Sequence, residues 1–210
     1  MHYFRQRNEY HVVALTVDER FLSNDKKWGL PIVPFETLEL KYSPQDYHMF
    51  VAVGYQELNQ IRAQKCLEAK SKGFSLVSCI GQNTNLPSDL IYGENCFIMD
   101  NVMIHPCVQL GMNNFIWSGV MIGHHSKIGN HCWFTSSSQV AGGVNMGDRC
   151  FLSINSTVGN QLNVGDDCFF GANSLVTKCT NNGEVYLQQS TSAHRLNSRQ
   201  FLKFTGFDYK

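Results

Sequence analysis

VMIGHHSKIGNHCWFTSSSQVAGGVNMGDRCFLSINSTV, residues Val120–Val158, decides the fold. A large apolar residue returns at every sixth position: Ile122, Ile128, Phe134, Val140, Met146, Leu152 and Val158. Four residues after each of the first six comes a small or β-branched one: Ser126, Cys132, Ser138, Val144, Cys150 and Ser156. Working outward, the large column runs without a phase slip from Tyr92 to Val176, fifteen hexads, and the small column departs only at Asn114 and Leu162. Glycine recurs every eighteen residues (Gly93, Gly111, Gly129, Gly147, Gly165), and so does an aromatic (Phe97, Phe115, Trp133, Phe151, Phe169). No helix has a reason to prefer eighteen for both. A prism with three six-residue sides does, because residues eighteen apart then stack at the strand spacing of about 4.8 Å. The repeat therefore predicts a parallel β-solenoid, about 24 Å tall for five coils.

The alternation of large and small residues fills a narrow triangular interior without voids. The thiols of Cys132, Cys150 and Cys168 fall in the small inward column and read as core hydrophobes. The recurring glycine reads as a corner residue with backbone angles that a side chain would forbid. The aromatic column should point outward and stack, and a row of exposed rings calls for a cover.

Upstream the pattern is different. His11–Val17 and His48–Val53 are β-branched and aromatic runs that suit strands. Gln56–Lys72 spaces Leu58, Ile61, Ala63, Cys66, Leu67 and Ala69 as an amphipathic helix, which Gly73 stops. Phe74–Ile80 reads as a further strand, giving a βαβ unit with parallel strands. The expected division is a small α/β domain over residues 1–85, a β-helix over 86–179 and a tail over 180–210.

Composition narrows the function. Seventeen acidic residues balance seventeen basic ones, and charged residues are 16% of the chain against 43% hydrophobic. Such a neutral chain with no basic run is a poor ligand for nucleic acid or anionic membranes. Nothing approaches the ~18–20 apolar residues of a membrane span, and MHYFRQRNEY lacks the order of a signal peptide. Eight cysteines in 210 residues fall well short of a disulfide scaffold. They read as reduced thiols of a cytoplasmic protein.

The segment Val120–Val158 resembles bacterial sugar acyltransferases of the sialic acid O-acetyltransferase type, which include N-acetyltransferases of nucleotide-linked amino sugars. HVVALTVDERF, GLPIVPFETL and FVAVGYQELNQIR resemble their Rossmann-like nucleotide-binding domain. The resemblance implies a left-handed parallel β-helix, a homotrimer and acetyl-CoA as co-substrate in the cleft between adjacent prisms, with no metal. It also implies an acceptor that is a nucleotide-activated sugar for a surface polysaccharide. Family members open with a strand and a glycine-rich turn; this chain has no such turn, so either its α/β part is N-terminally incomplete or its nucleotide binding is altered.

The family's catalytic histidine follows the inward aliphatic by two positions, which puts it on His124 after Ile122 and Gly123. An acidic residue usually comes next; here it is His125, which leaves the group that orients His124 open. An imidazole suits acyl transfer, since a free one titrates near ~6.5 and can accept a proton at neutral pH. The developing oxyanion needs a fixed N–H donor. Stacking the coils lines up Pro106, His124, Gly142, Asn160 and Lys178. Gly142 and Gly143 leave room for a thioester beside the two histidines. Lys178, three coils away at about 14 Å, suits the phosphates of coenzyme A. His125, His131, Trp133 and Asp18 are candidate substrate contacts, against plain turn, packing and strand-end roles. Two other functions compete. A metal hydratase of the γ-carbonic anhydrase kind needs two histidines five residues apart, and His105, His124, His125 and His131 contain no such pair. A non-catalytic scaffold on the same solenoid is the other.

Overall fold

The computed structural model describes residues 2–6 and 9–206. From Cys79 to Tyr186 the strands are two residues long and pair in parallel with strands eighteen residues away, or sixteen for the last pair, Phe169–Phe170 with Val185–Tyr186. Trp133 lies between Phe115 and Phe151, Met121 between Met103 and Gln139, and Lys127 between Gln109 and Asn145. The strands gather into sheets of five, five and seven, the three sides of a left-handed parallel β-helix. The seven-stranded side extends past the repeat, through Cys79–Ile80 on Phe97–Ile98 and Val185–Tyr186 on Phe169–Phe170.

The core follows the hexads. Every large-column residue from Ile98 to Val176 is buried, and only Tyr92 is exposed. Asn114, the polar exception in the small column, is fully buried but satisfied. Its Nδ2 donates to the carbonyls of Gly111 and Gly129, both at 2.9 Å, and its Oδ1 accepts the Cys132 N–H at 2.9 Å.

Each corner turns on one residue in the left-handed region, six apart, from Asn95 (φ 56) through His125 (φ 58) and Gly143 (φ 69) to Asn173 (φ 58). The glycines of the eighteen-residue period are a different matter: their φ is not positive. A Cβ on Gly129 would stand 2.6 Å from the main chain of Gly147 and 2.5 Å from Asp148 Oδ1. Close approach of the next coil, rather than backbone freedom, requires glycine there.

The N-terminal unit is sparser than its sequence suggests. Strands β1 (Leu15–Val17), β2 (Lys26–Lys27) and β3 (Leu30–Pro34) form one small sheet, β1 parallel and β2 antiparallel to β3. The His48–Val53 run reduces to a single parallel bridge between Met49 and Leu76. The helix between those two spans Gln60–Ser71, starting later than the periodicity predicts because Glu57, Leu58 and Asn59 all take left-handed angles. Gly73 ends it as expected, at φ 89, with the Phe74 N–H on the Ala69 carbonyl at 3.2 Å.

The helix buries Arg62, Cys66 and Ala69 and leaves Ile61 and Leu67 exposed. Arg62 is the reason. Its guanidinium donates to Asn59 Oδ1 (2.9 Å), Asn113 Oδ1 (3.1 Å) and the carbonyls of Gly54 (3.1 Å) and His131 (2.8 Å). It also stacks 4.6 Å above Phe115 and 5.1 Å above Trp133. Burial pulls its pKa down to about 10, since no carboxylate offsets the lost water. Phe50 and Leu58 complete the cover that the aromatic column calls for; Phe115 and Trp133 stack at 5.1 Å, Phe151 and Phe169 at 5.0 Å. Beyond the prism, the Ser198–Thr205 helix is capped by Asn197, whose side chain accepts the Gln200 N–H at 3.0 Å, and buries none of its residues.

Candidate active site

Strands Met121–Ile122 and Lys127–Ile128 lie on adjacent sides of the prism, and His124 and His125 form the corner between them. Ile122 points inward and is fully buried; two residues on, the chain has turned out and both histidines are exposed. Neighbouring coils clamp the corner. The His125 N–H donates to the Pro106 carbonyl at 3.1 Å, and the Gly143 N–H donates to the His124 carbonyl at 2.8 Å.

The two rings meet edge to face, with centroids 5.2 Å apart at 85°. Their Nδ1 atoms are 3.0 Å apart. The His124 ring also lies against Gly142: a Cβ there would stand 2.8 Å from both Cε1 and Nε2. The bare face of Gly142, which the sequence suggests as room for a thioester, is thus covered by the imidazole itself. Gly142 is half-buried, and among the described residues no acceptor meets its N–H. Gly143, left-handed at φ 69, is the turn residue beside it. Asn160 and Lys178 each follow a strand of the same side by two residues, and both are exposed.

The structure does not bring the other candidates to this corner. His131 sits at the Arg62 node: its Nδ1 is 2.7 Å from Asn113 Nδ2, and its carbonyl takes the guanidinium. Burial, then the nearby Arg62 charge, lowers its pKa. Trp133 is 6% exposed, stacked under the N-terminal unit, and its indole N–H has no partner among the described residues. Asp18 is held by Lys65 at 2.7 Å, with Arg20 at 3.7 Å. Among the described residues no group of three or more His, Cys, Asp or Glu is arranged to hold a metal ion.

Sequence reasoning overlooked two features. Arg62 looks like a solvated helix residue, since most of its acceptors come from distant coils. The left-handed corners did leave a trace: Asn, Gly and His crowd the positions three residues after the large column, as at Asn95, Asn101, Asn113, Gly119, His125 and His131.

Residues 93–124 match the family model described as bacterial transferase hexapeptide (six repeats). No curated protein sequence matches the chain. Among solved structures, the chain is similar to PerB from Caulobacter crescentus, solved in complex with CoA and GDP-perosamine. The identity is 25% and the TM-score 0.70, with 78% of each chain covered. It is also similar to the acetyltransferase domain of PglB from Neisseria gonorrhoeae FA1090, at 20% identity and TM-score 0.74 over 82% of each chain. The same domain in complex with acetyl coenzyme A matches at 19% and 0.73, again over 82% of each. The chain thus has the fold of these proteins and resembles sugar acyltransferases with hexapeptide repeats, as its sequence indicates.

Proposed function

We propose that this hexapeptide-repeat chain is an acetyl-CoA-dependent acetyltransferase acting on a hydroxyl or amine of a nucleotide-activated sugar, with His124 as general base. The observation that carries the reading is the His124 imidazole seated on Gly142, at an exposed corner with an unpaired main-chain donor beside it. The likeness to PerB, whose structure holds CoA and GDP-perosamine, supports the choice of both substrates.

The chemistry is direct transfer. His124 Nε2 takes the proton from the acceptor O–H or N–H as that atom attacks the thioester carbonyl. The oxyanion that forms is stabilised by the Gly142 N–H. Collapse breaks the C–S bond, and the imidazolium returns its proton to the departing thiolate. Asn160 and Lys178, farther along the corner, face the pantetheine arm and phosphates of acetyl-CoA, in a groove that an adjacent prism of a homotrimer closes. Residues 1–85 hold the nucleotide end of the acceptor.

The test is thiol release from acetyl-CoA with a panel of nucleotide-linked hydroxy and amino sugars. Transfer to at least one sugar is expected, and His124→Asn should lower kcat by about 10²–10⁴-fold. Undiminished transfer by that variant, or none by the native protein with any sugar, would overturn the reading.

A further inference from the structure

An imidazole acts as a base only through a ring nitrogen without a proton, and the hydrogen bond at the other nitrogen decides which one that is. His124 has one such bond, from Nδ1 to Nδ1 of His125 at 3.0 Å. One of the two atoms must carry the hydrogen. If His125 donated, the neutral His124 would accept at Nδ1 and carry its hydrogen at Nε2, at the end of the ring that lies against Gly142, and would have no nitrogen left to take a proton. If His124 donates, its Nε2 keeps a free lone pair, and His125 carries its own hydrogen at the far end of its ring.

We infer that His125 is the positioning residue for His124, accepting the Nδ1–H of His124 and so leaving the Nε2 lone pair free for the proton of the acceptor. It does with a neutral ring what a carboxylate would do with a charge. The corner is built for this: the left-handed angle at His125 (φ 58) and the flanking bonds to Pro106 and Gly143 fix both rings. A carboxylate in the same corner column, Asp89, is already taken. It accepts the Cys107 N–H at 2.7 Å, which is the main cause of its lowered pKa, with a smaller pull from His125.

The inference deepens the proposed reaction and rests on it for its catalytic meaning, but its geometry can be read without substrate. Two-bond ¹H–¹⁵N correlation on histidine-labelled protein, at a pH where the rings are neutral, should show His124 protonated at Nδ1. In His125→Gly, which suits the left-handed backbone, His124 should revert to the Nε2–H form. With acetyl-CoA and acceptor, kcat should then fall roughly 10–100-fold, while KM for acetyl-CoA stays unchanged. His125→Asn keeps both the backbone angle and an acceptor oxygen, and should restore the Nδ1–H form and most of kcat. Nε2–H in the native protein, or a tautomer and kcat indifferent to His125→Gly, would overturn the inference. Absence of transfer alongside the expected tautomers would instead overturn the proposed function alone.

Discussion

Two corners of the prism solve the same backbone problem differently. At the corner that carries the N-terminal unit, side chains from successive coils cap the main chain. The Met112 N–H donates to Asn130 Oδ1 (3.0 Å), Asn130 N–H to Asp148 Oδ1 (2.7 Å), Asp148 N–H to Asp166 Oδ1 (2.8 Å) and Asp166 N–H to Asn182 Oδ1 (2.9 Å). Arg149 adds an ion pair with Asp167 at 2.7 Å. At the His124 corner the equivalent N–H of Gly142 has no acceptor among the described residues, and the His124 ring lies against the glycine. Among the described residues the same lack of an acceptor holds for the N–H groups of His124, Asn160 and Lys178 on that corner and of Ser118, Ser136 and Ile154 on the third, so what sets Gly142 apart is the imidazole lying on it. On the proposed reading, the capped corner serves stability and the His124 corner serves chemistry.

The sharpest way to break the capped corner is Arg62→Ala. It removes a buried guanidinium from two ring faces and strands the oxygens of Asn59, Asn113 and His131. The expected cost is about 3–5 kcal/mol, read as a shift of the denaturant midpoint. The rings of Phe115 and Trp133 should become more exposed, as indole fluorescence would report.

Next come two glycine substitutions that should have opposite signatures. Gly142→Ala meets only the far end of the His124 side chain, which can swing away. Stability should change by less than about 1 kcal/mol, while kcat falls about 100-fold, as for a misplaced base. Gly129→Ala meets main chain and Asp148, neither of which can move freely. It should cost about 1–3 kcal/mol and leave kcat per folded molecule intact. Thermal melts and turnover numbers on the pair decide between two kinds of corner and one.

How much of this was visible in the residues depends on how local the cause is. The hexads were plain because every inward position obeys one packing rule, and the column from Ile98 to Val176 is buried as that rule requires. His124 was singled out by the resemblance to the family's aliphatic-x-His pattern; the repeat alone says only that it falls at a corner two residues after Ile122. Arg62 could not be singled out, since most of its acceptors, on Asn113, His131 and Cys132, lie 51 to 70 residues away in sequence and helical periodicity ranked Ile61 above it. The His48–Val53 run has strand composition, yet its neighbours offer one bridge rather than a ladder. The glycine column was recognised while its cause was misread: residue type suggests a bend, and only the next coil shows that the limit is space.

The most direct measurement is a crystal structure of the protein with acetyl-CoA. The thioester carbonyl oxygen should lie about 2.7–3.1 Å from the Gly142 N–H, with His124 Nε2 facing the space in front of the carbonyl carbon. A thioester bound at another corner, or one that leaves the Gly142 N–H unpaired, would contradict the division of the prism into a capped corner and a working one.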